Sequence, residues 1–308
     1  MTSLDNSLTD SPSSTWNEPS TATQLSFSPS LRPVLVFFLV STLAVPVLFL
    51  LADPRLPRTP FWSRLFTATA ITSVAVFAWG VLRWEGVSAA DIGLDRERVV
   101  SGVVLVVAIW LVINVVSYAL LAFRGDAVAL GLPASPTNGL PVGAPASQVV
   151  GMAVTLWIFV GIAEEFAFRG YLQNKVVAML GGGTDRVHMA VGILGASVLF
   201  ALWHIPQMVV VRGIVGPEIL LSLLAITVYT VVLGTLYELS RNLVFVGLLH
   251  GTFDLNPIFV VGEAGEPMTD LWVLVYPLII VALLLYRRWA KDARPTDFRP
   301  QTTGTASD

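Results

Sequence analysis

Eight apolar runs, most of them close to twenty residues long, set the limits on what this chain can fold into. They cover positions 33–52, 66–82, 99–123, 148–180, 189–211, 219–239, 243–261 and 271–286. About twenty apolar residues are what a helix needs to cross a bilayer whose hydrocarbon core is ~30 Å thick. Backbone N–H and C=O groups find no water there, so each run is predicted to be helical and to satisfy its own hydrogen bonds. The expected fold is therefore all-α, a polytopic membrane protein of about eight transmembrane helices. Composition agrees: 55% of the residues are hydrophobic, 13% are charged and the mean hydropathy is +0.74. Soluble domains carry about 25% charged residues.

Polar segments frame these runs. Positions 1–30 are rich in Ser, Thr, Pro, Asp and Asn without apolar periodicity and are expected to form a disordered tail, followed by a helical membrane domain over 31–289 and a polar C-terminal tail over 290–308. The first run has neither a basic n-region nor a small-residue cleavage site, so it reads as a span, not a signal peptide. Three prolines between Asp53 and Pro60 force a tight connection to the second run. Positions 84–98 are amphipathic and are expected to lie along the surface, and the Gly/Pro/Ser-rich stretch 125–146 reads as an exposed loop. The Lys/Arg distribution places both termini on the cytoplasmic side, the weight coming from Arg287, Arg288, Lys291, Arg294 and Arg299. A multi-pass protein of the cell membrane is expected.

The formal net charge of −3 offers no basic stripe for nucleic acid. The absence of cysteine excludes disulfides, thiolate metal sites and a cysteine nucleophile. No internal repeat of the kind that builds secondary transporters is visible. What remains is a small set of polar groups inside apolar runs, where ionisable side chains cost ~3 kcal/mol or more unless paired or functional.

The densest is Glu164-Glu165-Phe166-Ala167-Phe168-Arg169. Glu165 and Arg169 are four apart with the acid first, the favourable order for an intrahelical pair, whereas Glu164 is turned ~100° onto a neighbouring face. Both glutamates can be structural, or Arg169 can neutralise one and leave the other for chemistry. His204 follows Phe200 by one helical turn and precedes Ile205-Pro206, where the helix should bend. His250 and Asp254 are again four apart, shortly before Asn256-Pro257. His188 lies beside Asp185 and Arg186 and reads as a solvated loop residue. Together Glu164, Glu165, His204, His250 and Asp254 are the parts for activating water against a carbonyl. Glu164, His204 and His250 can also be read as zinc ligands, although the H-E-x-x-H spacing is missing.

The order EExxxR (Glu164, Glu165, Arg169), FxxxH (Phe200, His204) and HxxxD (His250, Asp254) resembles the CPBP family, the CAAX prenyl protease and bacteriocin-processing intramembrane endopeptidases. The likeness covers about 85–262, with Asp91-Ile92-Gly93-Leu94 resembling the segment that introduces this domain. It implies that Glu164 activates water with His204 beside it, that His250 and Asp254 bind the oxyanion, and that Glu165 and Arg169 hold the glutamate helix in place. Members are described both as metal-dependent and as metal-free glutamate proteases. One departure stands out: prenyl-protein members often carry Asn at the position of Asp254, and an ionised Asp only accepts hydrogen bonds.

The function expected from this is an intramembrane endopeptidase acting on a membrane-associated or lipidated, CAAX-like protein or peptide at the bilayer. A proton- or ion-coupled transporter would use the same side chains as a relay, and a non-catalytic scaffold or immunity protein would use none of them. Depth poses a difficulty. At 1.5 Å per residue, Glu164 counted from Gln148 and His204 counted back to His188 each lie ~24 Å from opposite faces. The conflict eases if the fourth helix is long and tilted, running on to about Leu180, and if the fifth starts later or tilts.

Overall fold

The computed structural model describes residues 24–133, 140–181, 185–262, 272–289 and 299–303. It is a polytopic helical membrane protein whose helices are α1 (Arg32–Leu51), α2 (Pro60–Trp84), α3 (Arg96–Arg124), α4 (Ala146–Met179), α5 (Arg186–Trp203), α6 (Pro217–Ser240), α7 (Leu243–Asp254) and α8 (Trp272–Trp289). Six of these, α1 to α6, are long and apolar enough to cross a membrane, and α7 and α8 contain shorter apolar helices. The eight apolar runs thus appear as six long helices and two short ones.

Helix boundaries follow local chemistry. Thr59 and Asp95 cap α2 and α3 by accepting from the backbone N–H of Trp62 and Arg98, and Pro60 sits at the first position of α2, where its missing N–H costs nothing. α3 ends at Gly125 in the left-handed conformation. α7 stops at Asp254 although its apolar run continues to position 261, because Pro257 cannot continue the ladder and biases its predecessor away from helix. The chain leaves in an extended path, and β3 (Val260–Val261) pairs antiparallel with β2 (Ala129–Leu130).

α4 determines the geometry of the rest. It runs unbroken for 34 residues and contains two wide π-helical stretches, Val154–Ile162 and Phe166–Gln173, on either side of a short α-helical segment at Ala163–Glu165. Wide turns of this kind re-aim side chains and cluster at functional positions. α7 lies against the first wide stretch at backbone contact distance. A Cβ at Gly161 would run into the carbonyl of Gly247, and one at Gly251 would run into the backbone of Leu156 and Trp157. Small residues at these positions let two helices approach where lipid supplies no hydrophobic drive to bring them together.

Two expectations need correction. Positions 85–95 do not form a surface amphipathic segment: Val87 and Ile92 are buried, and the Ile92 carbonyl accepts from Tyr237 Oη at 2.8 Å. The polar look of the segment misleads because Glu85 points inward, its Oε2 2.6 Å from the Nζ of Lys175 on α4 and its Oε1 accepting from Tyr171 Oη at 3.2 Å. Nor are the polar tails featureless throughout. β1 (Gln24–Phe27) pairs in parallel with β4 (Arg299–Thr302), because Leu25 and Phe27 bury their side chains and Lys175 Nζ holds the Ser28 carbonyl at 2.5 Å. The remainder of positions 1–30 and 290–308 lies almost wholly outside the described residues.

Candidate active site

The long α4 removes the difficulty of depth. Measured from the turn that joins α4 to α5, Glu164 lies fifteen residues before Met179, ~22 Å away, and His204 lies eighteen after Arg186, ~27 Å away. The two arrive at similar levels from the same end. Phe200, one turn before His204, rests edge-on against Phe168 of α4 at 4.6 Å between centroids and lies 5.3 Å from the guanidinium of Arg169. α5 then breaks at His204, and a wide turn over Gln207–Val211 follows Pro206, as the Ile205-Pro206 step predicts.

At this level α7 brings in His250. Its Nδ1 stands 2.9 Å from Glu165 Oε1, and its Nε2 stands 3.8 Å from Glu164 Oε2. Glu165 is also paired with Arg169, Oε2 to Nε 3.0 Å, with both side chains fully buried. The i,i+4 spacing therefore predicts the Glu165–Arg169 pair correctly and misses half of what Glu165 does. One carboxylate oxygen faces the arginine and the other holds the imidazole of a different helix. A carboxylate only accepts, so the Nδ1 of His250 donates and its Nε2 is directed to Glu164. The 3.8 Å gap is too long for a direct hydrogen bond.

His204 is half-buried, and its Nδ1 lies 2.9 Å from the Phe200 carbonyl of its own helix. The carbonyl accepts, so Nδ1 carries the proton and Nε2 of the neutral ring offers a lone pair. Phe200 packs against both imidazoles, with centroids 4.7 Å from His204 and 6.3 Å from His250. Asp254, half-buried one turn beyond His250, lies within electrostatic reach of His250 and Arg212. His188 lies outside the cluster; it is exposed and paired with Asp185 at 3.0 Å, but it sits in the first turn of α5 and not in a loop, because Asp185 caps the helix just before it.

Sequence reasoning passed over several residues here. The ring of Tyr229 on α6 lies 5.8 Å from that of His250, and Tyr276 on α8 donates to the Leu249 carbonyl at 3.0 Å. Trp157 and Trp110 anchor the far side of α7 through the Leu255 carbonyl and Thr252 Oγ1. A search for hydroxyl and indole groups within apolar runs would have flagged all four. Beside Arg169, its Nη1 and Nη2, Gln173 Oε1, Ser197 Oγ and Trp203 Nε1 are buried without hydrogen-bond partners among the described residues. Buried polar atoms of this kind are ordinarily satisfied by ordered water.

A zinc site would need Glu164, His204 and His250 to converge. Among the described residues no three His, Asp or Glu side chains are grouped to hold a metal ion. Nδ1 of His250 faces Glu165 and Nδ1 of His204 faces a carbonyl, so each ring has one nitrogen left, and the two do not join Glu164 around a common point.

Fold and site together define a helical membrane protein with a carboxylate–imidazole–carboxylate cluster between α4 and α7. Residues 146–256, from the start of α4 to just past α7, match the model of the family described as Type II CAAX prenyl endopeptidase Rce1-like. That segment holds all three motifs on which the CPBP resemblance rests, and the match supports intramembrane endopeptidase activity in general. No curated protein and no solved structure matches the chain.

Proposed function

We propose that this protein hydrolyses a peptide bond of a membrane-associated or lipidated, CAAX-like substrate using a water activated by Glu164. One observation carries the reading: His250 is held at Nδ1 by Glu165, and its Nε2 faces Glu164 across 3.8 Å. A water in that gap gives a proton to Glu164 while its oxygen attacks the substrate carbonyl. His250, carried in this scheme as an imidazolium between the two carboxylates, donates Nδ1–H to Glu165 and turns its Nε2–H to the oxyanion, and Glu164 returns the proton to the amine that leaves. Glu165 and Arg169 act as positioning residues. His204 supplies a second lone pair at the same depth, and Asp254 lies toward Arg212 at the outer end of α7. No metal takes part in this scheme. A substrate whose apolar part stays in lipid reaches such a site laterally.

The test is cleavage of a library of lipidated and unlipidated peptides by purified protein in lipid nanodiscs. Glu164→Gln is expected to lower kcat by ~10²- to 10⁴-fold, the usual contribution of a general base. Chelator is expected to leave the rate unchanged. Cleavage that persists in Glu164→Gln would overturn the proposal and favour ion transport or a non-catalytic role. Inhibition by chelator that zinc reverses would replace the metal-free scheme.

A further inference from the structure

Away from the glutamate cluster, the first halves of α2 and α4 enclose a groove of about 970 Å³ that opens on the surface of the bundle. Its walls are apolar for most of their length, with Leu65 and Val76 from α2 facing Val154 and Phe159 from α4. One end is different. There Arg64 is flanked by Ser147 and Gln148, and no carboxylate lines the groove. Arg64 makes no ion pair among the described residues, and its Nε is buried without a hydrogen-bond partner. The guanidinium lies over Gly151, where a Cβ would stand 2.8 Å from Nη1, so the missing side chain at 151 leaves room for it.

Depth identifies the occupant. Arg64 is four residues into α2, ~6 Å from the helix start, next to exposed Phe61 and Trp62, aromatics of the kind that mark the headgroup level. From Arg64 to Val76 the groove follows twelve residues of α2, ~18 Å, close to one leaflet of a hydrocarbon core ~30 Å thick. An unpaired cation at headgroup depth, above an apolar slot one leaflet long, matches a molecule with an anionic head and an extended chain. Arg in particular engages phosphate through its planar fork of donors.

We propose that this groove is a binding site for one anionic phospholipid, its phosphate on Arg64 and one acyl chain along the seam between α2 and α4. Free phosphate has no use for the apolar walls. A neutral zwitterionic lipid supplies the chain but brings its own cation to the arginine.

The test reads lipid and not cleavage, so it stands apart from the proposal for Glu164. The full chain is purified into nanodiscs of phosphatidylcholine and phosphatidylglycerol in equal amounts, extracted gently and weighed by native mass spectrometry. One phosphatidylglycerol is expected to stay bound in preference to phosphatidylcholine. Arg64→Gln is expected to abolish that preference, Arg64→Lys to keep part of it, and Thr69→Trp, which fills the groove from its exposed side, to remove the bound lipid altogether. Melting temperatures taken alongside identify any variant that fails to fold, and Arg64→Lys and Thr69→Trp decide the matter if Arg64→Gln is one. No preference in the parent, an unchanged preference in Arg64→Gln, or displacement by inorganic phosphate alone would each overturn the proposal. Displacement by a lipidated peptide would overturn it too, since the groove would then belong to the substrate.

Discussion

The two halves of α4 share one helix and one polypeptide but are enclosed to different degrees. Along the first half, Val150, Val154, Ile158 and Phe159 are exposed to the surroundings, and the polar residues facing the groove are small or neutral. Along the second half every residue from Ala163 to Lys175 is buried, and among them are Glu164, Glu165, Arg169, Gln173, Asn174 and Lys175. An apolar helix accepts this density of charge only where other helices bring partners. Here α7 brings His250 to Glu165, the segment after α2 brings Glu85 to Lys175, and the end of α6 brings Arg241 to Asn174 at 3.0 Å. The first half keeps one face open beside α2 while its other face packs on α7, and the second half is enclosed by protein, so a substitution should be cheap on the open face and costly in the enclosed half.

The largest difference is expected at Arg169 and Phe168. Arg169→Met leaves Glu165 as a fully buried carboxylate without its cation, and breaking one side of a buried pair costs ~3–5 kcal/mol. Phe168→Ala empties a site packed against Phe37, Phe200 and Trp203 and should cost a similar ~3–5 kcal/mol. Both are read as loss of thermal stability in detergent. The double variant Glu165→Leu with Arg169→Met should recover most of the stability, because an apolar pair of similar volume is often no worse than a buried ion pair. It should not recover cleavage, because Nδ1 of His250 then has no carboxylate to hold it. Recovery of both would mean that Glu165 does nothing for His250.

A middle-sized effect is expected where the two halves meet. Gly161 marks the level at which α7 touches α4, and its hydrogen is opposed by the carbonyl of Gly247. Gly161→Ala must push the helices apart and should cost ~1–3 kcal/mol by overpacking. It should also lower kcat, since the shift moves His250 away from Glu164. Unchanged stability would show that the backbones are not in contact.

How much of this was visible beforehand depends on the range of the interaction. The Glu165–Arg169 pair, the break after His204 and the exposure of His188 are set within about one helical turn. Local period and proline chemistry reveal them. Glu165 holding His250, eighty-five positions away, and Lys175 holding Glu85, ninety positions away, depend on which helices become neighbours. No local pattern encodes that. Glu85 is the instructive case, since a carboxylate in a polar connection looks solvated until the fold turns it inward. The wide turns of α4 were also out of view, because Val, Leu and Phe at those positions suit an ordinary turn as well. The strand Gln24–Phe27 went unseen because its partner lies at the other end of the chain.

The smallest effect is the one that isolates enclosure as the cause. Phe159 and Phe168 are the same residue type on the same helix, but Phe159 is 39% exposed beside the groove and Phe168 is fully buried. If packing against protein is what distinguishes the halves, Phe159→Ala loses only contacts that lipid tails replace. Its stability should then stay within ~0.5 kcal/mol of the parent, as for other substitutions away from a packed core. The comparison is made by thermal unfolding of Phe159→Ala and Phe168→Ala in the same nanodiscs. Equal losses would mean that the open face of the first half of α4 is also covered, through contact with a second copy of the chain or with a bound molecule. A small loss for Phe159→Ala in nanodiscs that grows in lipid-poor detergent would show instead that lipid in the groove fills the space that the ring leaves.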